Sequence, residues 1–371
     1  MSRWVVICLL FFRAPVLGQS HDFLEEGKLR YQIQDYSGAL EDFDAAIASN
    51  SLWAEAYNAR GMTRLAISDL HRAIADFDSA IVRFPRYIDA FNNRGAAWGK
   101  EGEYEKAIED FTQCIALSVS GTEVYYFNRA DCKLSLGRYT DAIADYTLAL
   151  QFKPDYEAAL NNRAKARLDA NDTLGAMQDY TQAIRSSPGY TLGYINRGLL
   201  KERMGDYRGA LDDYRQCVRW NPLAAKVFVE IGLVEEEFLK SPDTALEAFN
   251  QAIMLQPGLP DPYNDRGTVE MHQRSYRKAN KDFSKAISLD AGNAYFLFNR
   301  GLARKALGKN KAACDDFRAA TKIDPGYVAA FYTLGITEIE GGDTKQGCPD
   351  VIKAADKGSP SAADAIRRYC Q

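Results

Sequence analysis

A small residue returns every 34 or 35 residues along this 371-residue chain. Gly27, Gly61, Gly95, Ala130, Ala164, Gly198, Gly232, Gly267, Gly301 and Gly335 form a first series. Ala39, Ala73, Ala107, Ala142, Ala176, Ala210, Ala245, Ala279, Ala313 and Gly347 form a second. Ala46, Ala80, Cys114, Ala149, Ala183, Cys217, Ala252, Ala286, Ala320 and Ala354 form a third, with an aromatic three residues earlier in every copy but the last, which has Val351. Length alone suggests two or three globular domains. The period overrides that prior, because so short a unit cannot bury its own face and must lean on its neighbours. The expectation is an all-α solenoid: ten stacked copies over residues 20–360, starting near 20, 54, 88, 123, 157, 191, 225, 260, 294 and 328.

Each copy reads as two helices. In the third, Phe91, Gly95 and Trp98 share one helical face, Gly102 ends the helix, and Ala107, Ile108, Phe111, Cys114 and Ile115 share the face of a second. Pro85, Pro154, Pro188, Pro222, Pro257 and Pro325 close other copies. The small residues mark where the helices cross, so leucine at Gly95 or Ala107 is expected to overpack. Counting places from each start, the seventh is Arg in seven copies (Arg60, Arg94, Arg129, Arg163, Arg197, Arg266, Arg300). The twenty-third is Asp in the same seven (Asp76, Asp110, Asp145, Asp179, Asp213, Asp282, Asp316). Both change in the seventh copy, to Ile231 and Ala248, which predicts a pair within each copy. Asp42 and Asp350 lack the matching Arg. Extra residues fall in the loop 118–121 and, on this reading, in the turn near Ser241 and Pro242, making the seventh copy the expected weak point.

Small residues at the eighth, twentieth and twenty-seventh places, an aromatic at the twenty-fourth and Pro at the thirty-second resemble tetratricopeptide repeats. That resemblance implies a right-handed superhelix of helical hairpins whose first helices line a concave groove. Within the family, the groove is lined from the second, fifth, sixth, ninth, twelfth and thirteenth places. The sixth holds Asn93, Asn128, Asn162, Asn196 and Asn299. Such a row can donate to and accept from a peptide backbone, and is similar to the asparagine ladder of the O-linked N-acetylglucosamine transferases; amides bonded to their own neighbours are the alternative. The carboxylate clamp of heat-shock co-chaperones is not matched, since no fifth place is Lys. In copies seven and eight, Glu230, Glu236, Glu237, Asp261 and Asp265 fall at groove places with His272 nearby, which would favour a basic partner segment.

Residues 1–18 stand outside the period. Arg3, the apolar run Trp4 to Phe12 and the small or apolar residues up to Gly18 read as a secretory signal peptide cut before Gln19. The expected location is periplasmic or extracellular; an uncleaved anchor or a cytoplasmic protein are the alternatives. No run of 18 apolar residues offers a membrane span. At the other end, 361–371 reads as a capping helix with Ala362, Ala365, Ile366 and Tyr369 inward. Cys348 and Cys370 would lie side by side there, as a disulfide if the chain is exported. Cys114 and Cys217 read as small buried hydrophobes.

Hydrophobic residues at 46% and charged at 26% argue against disorder, and a net charge of -4 gives no electrostatic reason to expect nucleic acid. Three scattered histidines and no nucleophile, phosphate or metal motif leave no catalytic site, cofactor, metal or small-molecule ligand to name. The leading expectation is a non-enzymatic protein–protein interaction scaffold, binding an extended peptide or protein in its groove. A self-assembling structural component of the cell envelope is the alternative, and an enzyme-associated regulatory subunit a third.

Overall fold

The computed structural model describes residues 17–370, with side chains from His21 onward; the signal-peptide reading lies outside them, save for the backbone of Leu17 and Gly18. Among the described residues there is no strand. The chain divides between Tyr190 and Thr191 into two compact halves. The first holds α1 Leu17–Gln32, α2 Tyr36–Ser49, α3 Ala54–Ala66, α4 Leu70–Arg83, α5 Ile88–Glu101, α6 Tyr104–Leu117, α7 Thr122–Ser135, α8 Tyr139–Phe152, α9 Glu157–Asp169 and α10 Thr173–Ser186. The second holds α11 Thr191–Arg203, α12 Tyr207–Trp220, α13 Ala225–Leu233, α14 Pro242–Leu255, α15 Asp261–His272, α16 Tyr276–Leu289, α17 Ala294–Ala306, α18 Asn310–Ile323, α19 Val328–Glu340, α20 Thr344–Asp356 and α21 Pro360–Tyr369. Within each half, successive helices pair as hairpins and each hairpin packs on the next, so the fold is an α-solenoid.

The crossing geometry explains the small residues. A β-carbon on Gly61 would meet the Phe77 ring at 2.6 Å, and one on Gly95 would meet Phe111 at 3.0 Å. The last copy closes more tightly. A β-carbon on Gly335 would reach the Gly347 carbonyl oxygen at 2.6 Å, so backbone meets backbone and a valine at 351 suffices where other copies need a ring. Gly102 ends α5 in the left-handed region, φ +83°, where only glycine is unstrained.

Each seventh-place Arg forks onto its own copy's Asp. Arg60 Nε and Nη2 donate to Asp76 at 3.0 and 2.6 Å, and Nη1 reaches Asp44 of the preceding copy at 2.5 Å. Arg94 repeats the pattern with Asp110 and Asp78. A second cation, at the eleventh place, completes a triad: Arg64 on Asp76, Lys133 on Asp145, Arg167 on Asp179, Lys201 on Asp213 and Arg304 on Asp316. The first copy keeps only this arm, Arg30 on Asp42 at 3.3 Å. These aspartates are buried, so the small energies of exposed pairs do not apply to them.

In two of the three copies that lack the seventh-place Arg, the polarity inverts. In the seventh and tenth copies the eleventh place becomes a buried glutamate that accepts from an arginine of the copy before: Glu235 from Arg215 at 2.9 Å and Glu338 from Arg318 at 2.7 Å. The seventh copy therefore exchanges its ion pair rather than losing it. Its extra residue also sits elsewhere than the sequence suggests. It is taken up inside the first helix, where α13 continues into a π-helical turn, Val234–Phe238, with Leu239 N–H bonded to Val234 O at 3.1 Å. Phe238 then stacks on Tyr207 at 3.9 Å between ring centroids, and Pro242 keeps its place in the first turn of α14.

At the C-terminal end Ala362 and Ala365 are buried against Phe331, Val351 and Ala354, with Ile366 packed beside them. Tyr369, expected inward, is exposed, because α21 runs only 10 residues and covers the end with its first two turns.

Candidate functional site

In the first half the amide row lies on the first helices of successive copies, and its members bond to neighbouring amides and to Asp131. Asn93 Nδ2 donates to Asn58 Oδ1 at 3.1 Å and Asn128 Nδ2 to Asn92 Oδ1 at 3.3 Å, each reaching the fifth place of the copy before. Asn162 Nδ2 donates to Asp131 Oδ1 at 2.9 Å and accepts from Asn161 at 3.1 Å. One N–H of each of these amides is thus engaged internally, and Asn93 and Asn128 retain their second N–H and their carbonyl oxygen. Tyr146, fully buried at a place where six copies carry Phe and two others Tyr, donates its hydroxyl to Asp131. Burial holds the Asp131 carboxyl above its ordinary range, against the pull of those two donors and of the Lys165 charge.

The second half repeats one rung. Asn299 Nδ2 donates to Asn264 Oδ1 at 2.9 Å with both residues buried, and Asn264 Nδ2 donates to Asp265 Oδ1 at 3.1 Å. Asn196 is half-buried on α11. The acidic residues converge around Asp265. Its carboxyl is pushed up to about 6 by burial, the Asn264 amide opposes this, and the charges of Asp261, Glu237 and Glu230 add to the rise. Glu230 is raised by burial and by Glu202, which accepts the hydroxyl of buried Tyr214. Glu237 is exposed on the π-helical turn, and Glu236 beside it meets His272 Nδ1 at 2.7 Å. Asp261, Asp265, Glu230 and Glu237 make no ion pair among the described residues. They form an acidic wall without internal neutralisation.

Cys348 and Cys370 are joined by a disulfide between the start of α20 and the end of α21. Cys114, Cys132, Cys217 and Cys314 are free and buried; burial pushes the Cys114 thiol up to about 12 and Cys132 to about 11. Among the described residues no three His, Cys, Asp or Glu side chains gather as a metal ion would require. Among them, too, no helix is long and apolar enough to cross a membrane.

Sequence reasoning found the amides and carboxylates but missed Asn58, Asn92, Asn264 and Asp131, which hold them. The fifth-place asparagines were a readable signal, since four copies carry Asn there beside the sixth-place row.

Comparison with known proteins agrees with this architecture. Tetratricopeptide repeat family models match residues 88–118, 127–191, 193–222 and 264–328, more than half of the chain. No curated protein matches. Among solved structures, the C-terminal part of a TPR repeat-containing protein from Cytophaga hutchinsonii aligns with TM-score 0.53 and 20% identity, over 64% of this chain and 96% of its own. A tetratricopeptide repeat protein from Parabacteroides merdae gives 0.47 and 19%, over 67% and 98%. YrrB, described as a TPR protein with an unusual peptide-binding site, gives 0.44 and 23%, over 51% and 97%. The hairpins, their small-residue crossings and these family matches agree: the chain belongs to the tetratricopeptide repeat proteins, a family of protein-interaction scaffolds.

Proposed function

We propose that this chain is a non-enzymatic scaffold that holds an extended, basic segment of a partner protein along its groove. The observation that carries the reading is the wall formed by Glu230, Glu237, Asp261 and Asp265, whose carboxylates crowd one another with no cation between them. A lysine- or arginine-bearing segment relieves that repulsion. The amide row is compatible with this reading, because Asn93 and Asn128 each keep a carbonyl oxygen and a second N–H for the backbone of a peptide. The test is fluorescence anisotropy with labelled decapeptides rich in lysine or in glutamate. The basic peptide is expected to bind, more weakly as salt rises. Glu230→Gln with Asp265→Asn should weaken it at least tenfold, and Asn128→Ala with Asn162→Ala several-fold. Equal binding of both peptides, or no effect of either double variant, sinks the reading.

We infer further that the protein is exported, to the periplasm or outside the cell. The Cys348–Cys370 bond supports this, since such bonds persist in oxidising compartments. N-terminal sequencing and thiol mass analysis of the native protein should find a chain starting at Gln19 with both cysteines oxidised. A start at Met1 with both thiols free counts against it.

A further inference from the structure

The ninth and twelfth places of a copy both face the groove, and in the third copy alone both are minimal, Ala96 and Gly99. Other copies place Lys28 and Tyr31, Met62 and Leu65, or Leu302 and Lys305 there. A cavity of about 280 Å³ lies between the third and fourth copies, floored by Ala96 and Gly99 and walled by Tyr104 and Phe111, whereas the matching cavity of about 320 Å³ between the first two copies is lined by Lys28 and Tyr31. That is the small end of binding cavities, the size for one side chain rather than a whole ligand. Gly99 is not there for packing. A β-carbon on it would meet only Cys132 Sγ, at 4.0 Å, whereas one on Gly95 in the same helix would press on Phe111. Nor is its backbone in the left-handed region. A glycine inside a helix costs about 0.5–1 kcal/mol relative to alanine, so at Gly99 this cost is not offset by any contact.

The polar group over this floor is Asp131. Both of its donors, the Tyr146 hydroxyl and Asn162 Nδ2, converge on Oδ1. Oδ2 makes no hydrogen bond or ion pair among the described residues, yet Asp131 lines the cavity. The carboxylate is therefore held in one orientation with one oxygen left for a guest. Asn128, also lining the cavity, has one N–H on Asn92 and keeps its other N–H and its carbonyl oxygen. The Ser135 hydroxyl is turned to the Asp131 backbone carbonyl at 3.0 Å. The Cys132 thiol in the wall stays protonated at neutral pH and offers no nucleophile. Lys100 at the rim is exposed, and neither it nor Lys165, whose charge acts on Asp131, makes an ion pair with that carboxylate among the described residues.

We propose that this cavity is a specificity pocket for one lysine or arginine side chain of the bound segment. Its carbon stem lies on Ala96 and Gly99 between the rings of Tyr104 and Phe111, and its cationic head donates to Asp131 Oδ2. Apolar walls with a single fixed acceptor suit a long aliphatic side chain ending in a donor, and leave a carboxylate-bearing side chain facing like charge. This proposal rests on the groove reading above and adds a fixed register to it, because one anchored side chain determines which part of the partner meets each copy.

The test uses decapeptides of one sequence whose central residue alone is lysine, arginine, norleucine or glutamate, titrated against the full chain. Lysine and arginine peptides are expected to bind at least tenfold tighter than the norleucine peptide, and the glutamate peptide weakest. Gly99→Leu copies the residue that the second, fourth and fifth copies carry at this place, Leu65, Leu134 and Leu168. It should fold as the wild type does and lose the preference. Asp131→Asn keeps an oxygen for Tyr146 and Asn162 but turns an N–H into the cavity, and should also lose it. If all four peptides bind alike, or Gly99→Leu keeps the preference, the pocket is wrong and the groove reading survives. If no peptide binds, both fall.

Discussion

Asp145→Ala is expected to destabilise the fourth copy by about 3–5 kcal/mol, the cost of breaking a buried charge cluster by removing one member. Asp145 accepts from Arg129 Nε and Nη2, both at 2.8 Å, and from Lys133 Nζ at 2.7 Å. Its side chain is 4% exposed and those cations 16% and 17%. Without the carboxylate, two half-desolvated cations face each other where α7 crosses α8. Glu105→Ala is the control, since its pair with Arg138 is 58% and 46% exposed and removal should cost about 0–1 kcal/mol. Urea titration with hydrogen exchange on α7 and α8 measures both. Similar small losses in the two variants would mean that the repeated ion pairs are decoration rather than structure. In a solenoid such a loss is felt by the neighbouring copies, because each is stabilised mainly through its interfaces.

Glu270 is expected to make the eighth copy less stable as pH rises, and Glu270→Lys to reverse this. It occupies the eleventh place, where six other copies carry Arg or Lys against the twenty-third-place Asp. Here two carboxylates, Glu270 and Asp282, stand near Arg266, which is bonded to Asp282 alone of the two. Glu270 is 9% exposed, and its Oε2 is buried without a hydrogen-bond partner. Burial and the neighbouring Asp282 push its carboxyl up to about 7, with Arg266, Lys278 and Lys281 pulling the other way. The folded-state value lies above the unfolded one of 4.5, so the folded state binds the proton more tightly. The penalty is absent below about pH 4.5, grows through pH 7 and is then constant, at about 3 kcal/mol. Hydrogen exchange on α15 and α16 should show the gap between wild type and Glu270→Gln widening from pH 4.5 to 8. Glu270→Lys should be the most protected of the three at pH 8, by supplying the missing arm of the triad. A gap that does not change with pH would overturn this account.

Much of this was legible before any coordinates. A beat of 34 residues can be satisfied only by stacking, and glycine opposite an aromatic ring can be satisfied only by a close crossing. The eleventh-place cations, Arg30, Arg64, Lys133, Arg167, Lys201 and Arg304, were equally periodic but were not read, because a lysine or arginine on a helix is by default a solvated one. The inversions at Glu235 and Glu338 were harder. Each depends on an arginine 20 residues away in the preceding copy, and a rule framed within one copy cannot see it. The extra residue of the seventh copy was visible as a count but not as a position, since a loop and a π-helical turn absorb it equally well on paper.

The sequence alone determined the architecture, because periodic small and apolar residues act through burial, which depends on residue type and spacing more than on fine geometry. Through the family resemblance it also suggested which side chains to expect in the groove. Tertiary structure decided what those side chains do with their hydrogen bonds. Asn128 turns its N–H to Asn92, Tyr146 reaches Asp131, and the acids around Asp265 have no cation within reach. Such choices turn on distances of a few tenths of an ångström between neighbouring helices, because a hydrogen bond is made or lost within that range and burial is not. That is why the fold could be read from the repeat, while the polarity of the groove and the pocket over Gly99 came only from the packed helices.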